Sequence, residues 1–251
     1  MSVERIALVT GANQGVGLEV ATKLAANGVT VYLGSRDLAR GEAAAAGIPT
    51  GATAIQIDVT DLASIAAAAK RIRAEHGRLD LLVSNAGISN TRTSSPTPEE
   101  MAASSTASIA SLDEVRAIWD VNVFGVLAVY QAMLPLLRAS SDARIVNVSS
   151  GVGSLALNAD PDFPYRTAYG PGYAASKTAE NAITLAMMIE LEQTDIKINL
   201  VSPGFTSTAL NNFAGTESIE DGSREVVRVA LLGPDGPTNT FTRWEDTTIP
   251  W

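Results

Sequence analysis

A chain of 251 residues with no cysteine and one histidine can build no disulfide framework, no thiolate nucleophile and no Cys- or His-rich metal site. Its 46% hydrophobic residues suffice for one α/β core, while 27 acidic against 18 basic side chains, a net charge of -9, would repel nucleic acid and anionic membranes. Any catalysis must then rest on Ser, Tyr, Lys, Asp/Glu, Asn and backbone groups, helped by a borrowed cofactor.

The opening MSVERIALVT enters an apolar run with no basic region, long hydrophobic stretch or cleavage site around it. No uninterrupted apolar stretch of transmembrane length follows, and AITLAMMIEL is closed by Glu190. The expectation is a cytoplasmic protein that makes no contact with membrane or nucleic acid. Runs rich in Val, Ile and Leu at 6–10, 29–34, 54–59, 79–84, 144–150 and 196–202 read as strands buried on both faces. Helical composition fills 17–28 and 62–77, the second ending in His76 before Gly77, so the lone histidine reads as a surface cap. Ser111 and Glu114 form a capping box for a long helix through Leu137, and Tyr173 to Glu192 reads as another. This alternation predicts an α/β fold: one doubly wound (Rossmann) parallel sheet with helices on both faces, a single domain over 1–251. The polar, Ser/Thr/Pro-rich stretch 89–108 reads as a surface insertion. Beyond Pro203 come a polar stretch, a short amphipathic helix in SREVVRVALLG and a turn-rich ending from 234 to 251.

The first strand ends in TGANQGVG, with glycines at 11, 15 and 17. Glycine there permits a tight turn, close approach of backbone to a pyrophosphate, and a helix whose first N–H groups attract anions; a plain βα turn is the alternative. The second strand ends in Ser35 and Arg36, where a carboxylate would bind the ribose of NAD. A guanidinium there can pair with a 2′-phosphate, with Arg40 in reach one turn on, which favours NADP(H) over NAD(H). A solvated surface arginine is the other reading, and Asp37 and the neutral Gln14 support it. Strand ends at Gly11, Arg36, Asp58, Asn85, Ser150 and Pro203 should gather along one sheet edge, where doubly wound folds bind ligands. In YAASK, Tyr173 and Lys177 are four apart and share a helix face. A phenol titrates near 10 and needs a neighbouring cation to exchange protons near neutrality. Lys177 can be that cation, or it can merely snorkel over the ring.

TGANQGVG, SNAG, VNV around Asn122, VSSG, YAASK and SPG, in this order, resemble the classical short-chain dehydrogenase/reductases. The ending REVVRVALLGPDGPTNTF, together with SRD after the second strand, resembles their carbonyl-reductase and menthol-dehydrogenase-like branch. The resemblance implies NADPH-dependent, reversible reduction of an aldehyde or ketone by hydride transfer, with Asn122, Ser150, Tyr173 and Lys177 as catalytic tetrad. Tyr173 would be the general acid, Lys177 would tune it and bind the nicotinamide ribose, Ser150 would hold the substrate oxygen, and Asn122 would hold a water. Gly11, Asn13, Gln14, Gly15, Val16, Gly17, Ser35, Arg36, Asp58, Val59, Asn85, Ala86 and Gly87 would line the adenosine and diphosphate. Pro203, Gly204 and Thr206 would face the nicotinamide. Ser150 is preferred to Ser149 because the family's serine precedes x-x-Gly, here Gly151, Val152 and Gly153.

One departure is large: 23 residues separate Ser150 from Tyr173, against about thirteen in typical members. The segment 151–172 is therefore expected to wall the substrate pocket, with Val152, Leu155, Pro164, Phe205 and Leu210 making it apolar. The segment 203–222, carrying Gly215, is expected to act as a lid. The expected partner is a small hydrophobic carbonyl or alcohol. Family members form homodimers or homotetramers through the helices beginning near Leu112 and Tyr173, and an insertion before the tyrosine can cover that surface and leave a monomer. The alternative function is a non-catalytic NADP(H)-binding regulator or redox sensor; such proteins lose the Tyr or Lys, and both are present. The glycine spacing and the lack of a C-terminal domain disfavour a nucleotide-sugar epimerase.

Overall fold

Strand and helix alternate from the first turn onward. The computed structural model of the protein, which describes residues 5–91 and 106–251, begins with β1 (Ile6–Val9), α1 (Gly15–Ala26), β2 (Thr30–Ser35), α2 (Leu38–Ala46), β3 (Thr53–Gln56), α3 (Leu62–His76) and β4 (Leu81–Ser84). A helix in three parts follows: α4 (Leu112–Trp119), a π turn (Asp120–Gly125) and α5 (Val126–Leu137). Then come β5 (Arg144–Val148), the short α6 (Leu155–Ala159), α7 (Tyr173–Leu191), β6 (Lys197–Val201), α8 (Ile219–Ala230), β7 (Thr240–Arg243) and β8 (Thr247–Thr248). Most of the expected insertion at 89–108 lies outside the described residues.

The strands form one sheet in the order β3-β2-β1-β4-β5-β6-β7-β8, parallel from β3 through β7, with β8 antiparallel to β7. The chain leaves β1 towards β2 and returns on its other side at β4, which opens a crevice at the carboxyl ends. Every residue of β1, β4 and β5 is buried, the reason β1 and most of β4 are continuous apolar runs rather than alternating ones; β5 also buries Arg144 and Asn147. One core layer joins Leu8, Leu82, Ile145 and Leu200 to Ile72, Met133 and Met187; the other joins Val9, Val83 and Val146 to Val20, Leu24 and Val226.

Local signals act where they stand. Asp37 caps α2 at the Arg40 amide, Asp61 caps α3 at Ala63, and Ser111 caps α4 at Glu114. Gly77, at φ 74°, ends α3 in the left-handed region, and His76 lays its ring edgewise against Tyr32, 5.7 Å between centroids. The continuous helix Leu112–Leu137 has a mean hydropathy of 1.5 and is by length and composition able to cross a membrane. Its Val129, Met133, Leu136 and Leu137 are instead packed in the domain core.

The turn-rich reading of 234–251 is corrected. TFTR adds β7 to the edge of β6, with Asn199 opposite Thr240 and Val201 opposite Thr242. What brings it there is Arg144, fully buried, whose guanidinium donates to Asn199 Oδ1 (2.7 Å), Pro237 O (2.8 Å) and Gly233 O (3.1 Å). Burial, with Arg5 nearby, pulls that guanidinium down to about 10.

Candidate active site

The carboxyl edge of the sheet is organised around the turn from β1 into α1. Gly11 has φ 62° there, and Gly17 is packed so closely that a Cβ would stand 2.3 Å from Asn85 Nδ2 and 2.7 Å from Gly11 O. Asn85 does not reach outward: its amide donates to Thr10 O (3.0 Å) and Gly11 O (3.1 Å), and its own N–H and that of Ala86 both donate to Thr10 Oγ1. Thr10 and Asn85 thus lock the glycine turn to the end of β4. Gly17→Ala should force Asn85 aside at a cost of roughly 1–3 kcal/mol. Thermal denaturation should show a Tm lower by about 2–8 °C, with weakened dinucleotide binding by fluorescence titration.

At the end of β2, Ser35 is buried and its hydroxyl donates to Asp37 O (2.7 Å), so it shapes the turn rather than offering an outward contact. Arg36 and Arg40 are exposed, and Arg40 Nη2 donates to Gln14 Oε1 (3.3 Å) at the start of α1. Asp58 accepts from the Thr60 amide (2.9 Å) and hydroxyl (2.7 Å). Val59 is buried against the π turn at Gly125. Gly15, Val16, Asn13 and Gly87 all sit partly exposed along the same edge.

The π turn carries Asn122 inward, fully buried. A widened turn of this kind inside an α-helix often marks a functional position. Asn122 Oδ1 accepts from the Ile88 amide (2.9 Å), and its amide donates to Ile88 O (2.8 Å) and Ser176 Oγ (3.0 Å). Both amide hydrogens are spent, so the side chain ties the loop after β4 to α7 and has no donor left for the expected water.

The two serines at the end of β5 diverge. Ser149 is buried and donates to Asn181 Oδ1 (2.5 Å), whereas the Ser150 hydroxyl accepts from the Val152 amide (3.4 Å) and is close enough to Tyr173 to act on its phenol. Tyr173 opens α7 and is partly buried. One turn on, Lys177 Nζ lies 6.0 Å from the Tyr173 ring centroid and donates to Val148 O (2.9 Å) and Glu180 Oε2 (2.7 Å). Burial pushes the phenol up from its ordinary value; Lys177 pulls it back, Glu180 adds to the rise, and the nearby Ser150 hydroxyl lowers it, with a net upward result. Burial works against the Lys177 ammonium, but the Glu180 carboxylate and Tyr173 more than offset it, so the lysine holds its proton.

Thr206, at the sixth strand end, is buried and donates to Pro203 O (2.7 Å); Gly204 and Phe205 are exposed beside it. The segments on either side of the site touch: the Tyr165 ring lies 5.9 Å from Phe205 and 5.7 Å from Phe163, and Ser89 Oγ donates to Leu210 O (2.5 Å). Residues 219–222 already belong to α8, so only 203–218 is loop. A cavity of about 600 Å³ opens in 151–172, lined by Leu155, Asn158, Ala159, Pro161, Phe163, Arg166, Thr167 and Tyr169. Of the five expected pocket residues Leu155 alone lines it; Val152, Pro164, Phe205, Leu210 and the tetrad do not.

Sequence reading missed Ser176, Glu180 and Asn181. Their signal was present: Tyr173, Ser176, Lys177, Glu180, Asn181 and Thr184 recur at helical spacing, and from Ser176 onward this polar stripe lies on the buried face of α7.

Residues 5–218 match the short chain dehydrogenase family. The chain belongs to the short-chain dehydrogenases. It is 37% identical over 251 residues to a short-chain dehydrogenase of Penicillium roqueforti (96% of this chain, 93% of the relative). With (+)-neomenthol dehydrogenase of Arabidopsis thaliana it shares 31% over 276 residues (91% and 92%), which sets this short-chain dehydrogenase in the menthol-dehydrogenase-like branch. The structure superposes on salutaridine reductase from Papaver somniferum with a TM-score of 0.78 and 28% identity (95% and 99% covered). A metagenomic short-chain oxidoreductase solved in complex with NADP gives 0.73 and 26% (95% and 96%).

Proposed function

We propose that this short-chain dehydrogenase is an NADPH-dependent reductase of hydrophobic aldehydes or ketones, reversible with the corresponding alcohols. The observation that carries the reading is the arrangement at the start of α7: the Tyr173 phenol with the Ser150 hydroxyl acting on it and a buried ammonium one turn away. Two features fit a phosphorylated dinucleotide. The turn holds Gly11 and Gly15 at positive φ and opens α1 at Gly15, so the first amides of the helix stand at the crevice, and Arg36 and Arg40 expose positive charge beside it. The NADP held by the metagenomic oxidoreductase accords with this.

The cofactor, when bound, supplies hydride. Tyr173 gives its proton to the carbonyl oxygen as negative charge develops there. Ser150 donates to that same oxygen and orients it against the phenol. Lys177 keeps its charge beside the ring and favours the phenolate left after transfer. Asn122 acts at one remove, by fixing Ile88 and Ser176 around the lysine. Tyr165, Phe163 and Phe205 form an apolar aromatic wall suited to a hydrophobic substrate.

Nicotinamide absorbance followed with NADPH or NADH against aryl ketones, aldehydes and cyclic terpenoid ketones tests the reading. NADPH should be consumed faster than NADH with at least one class. No oxidation of either across the panel would favour the cofactor-binding regulator instead.

A further inference from the structure

The buried side chain that this chemistry leaves unused is Glu180. It is fully buried, stands one turn beyond Lys177 on α7, and accepts from Lys177 Nζ through Oε2 at 2.7 Å. Its other oxygen, Oε1, has no hydrogen-bond partner. A buried carboxylate with half its acceptors unsatisfied is costly, and a helix facing a core could place an apolar residue there. Lys177 gains a fixed position: with Val148 O on one side and Glu180 on the other, its ammonium is held under the ring of Tyr173. Gly87, whose absent Cβ would stand 3.7 Å from Nζ, leaves it approachable from the β4 side.

Resting on the reading of Tyr173 as acid, we propose that Glu180 is a positioning residue for the Tyr173–Lys177 pair. It is a buried countercharge that anchors the lysine and cancels part of the positive charge felt by the phenol, so that Tyr173 keeps its proton further into alkaline pH. The groups packed around the pair are otherwise neutral. Among the described residues these are the Val148 carbonyl of β5, Ser150 and Gly153 in the turn after it, and Gly87 after β4. The charges acting on Tyr173 are those of Lys177 and Glu180. Burial raises the Glu180 carboxyl above its ordinary range while the Lys177 ammonium opposes the rise; the countercharge acts at alkaline pH, with the carboxylate paired to that ammonium through Oε2.

The sign of the effect follows. A phenol that must donate a proton works below its own titration point and fails above it. Removing the negative charge leaves Lys177 uncompensated and lowers that point. Glu180→Gln should therefore move the alkaline limb of kcat/KM for carbonyl reduction to lower pH by ~1 unit or more, the effect of a single charge within ~6 Å. The acidic limb of alcohol oxidation should move the same way, because the variant cannot alter the reaction's equilibrium. Plateau kcat should change by no more than about threefold, since lysine and phenol remain. Glu180→Asp, which keeps the charge, should hold the wild-type limb. Glu180→Met, nearly isosteric and uncharged, should repeat the glutamine result and serves if that variant folds poorly.

A second readout needs no turnover. Tyrosinate absorbance titrated with and without Tyr173→Phe isolates Tyr173, and its titration in Glu180→Gln should lie below that in the wild type. Limbs and tyrosinate titration that stay in place, or move to higher pH, would overturn the role of Glu180. Near-normal reduction by Tyr173→Phe would instead refute Tyr173 as acid, while the absorbance titration would still decide the coupling.

Discussion

Tyr173→Phe is expected to slow carbonyl reduction by ~10²–10⁴-fold, the usual contribution of a positioned general acid, while NADPH still binds. The ring and its packing survive the change; the lost atom is the hydroxyl beside Ser150. Because the phenol is partly buried and Ser150 keeps its own hydroxyl, fold and cofactor turn should be unaffected, and the Tm should stay within about 2 °C of the parent. Stopped-flow or steady-state NADPH oxidation gives the rate, and fluorescence titration gives cofactor affinity. A variant within tenfold of wild type would show that another group supplies the proton. Tyr165 and Tyr169 are the other phenols of the preceding loop, but Tyr165 packs its ring on Phe205 and the Tyr169 hydroxyl is bonded to Thr178 Oγ1 at 3.0 Å, whereas Lys177 Nζ lies over the ring of Tyr173. Burial pushes the Tyr173 phenol up, so wild-type reduction should hold its rate through neutral pH and fall only on the alkaline side.

Arg36→Asp should invert the preference between dinucleotides. Loss of a charge-assisted pair with a 2′-phosphate costs roughly 1.5–3 kcal/mol, and the new carboxylate adds repulsion, so kcat/KM with NADPH should fall by about 10²-fold. With NADH it should hold or rise, since a carboxylate there can accept from the ribose hydroxyl. Arg36 is exposed, which keeps the substitution from disturbing the core. Arg40 is held across to Gln14 and should preserve part of the NADPH preference, so that Arg36→Asp with Arg40→Ala goes further than either alone. An unchanged ratio of NADPH to NADH would make Arg36 a surface charge and nothing more.

The strand ends that carry the glycine turn, Arg36, Ser150 and the Tyr173–Lys177 pair were readable because each depends on local rules. A strand buried on both faces is largely apolar, as β1 is. A turn packed as tightly as Gly17 against Asn85 admits only glycine, and four residues on a helix place Lys177 beneath Tyr173. Within those strands the outward or inward sense of single side chains was less accessible. Ser35 was expected to meet cofactor and turns inward to Asp37; Asn122 was expected to hold a water and is spent on Ile88 and Ser176. Thr206 was expected to face the nicotinamide and is bonded to Pro203 O. In each case a short-range hydrogen bond competes for a polar group that sequence alone leaves unassigned.

By itself, then, the composition determined which chemistry was open to this protein. Without cysteine and with one histidine capping α3, the chain had Tyr, Lys and Ser to work with, and their order along alternating strands and helices defined the fold. Tertiary structure decided the rest. β7 exists because β6 offers an edge and Arg144 grips the loop before it, a partnership across more than 80 residues that no local period announces. Glu180 met Lys177 inside the core because burial turned a polar helical stripe inward, making a solvated ion pair into a fixed one. Contacts between distant segments are written in shape and desolvation, which only the packed chain supplies.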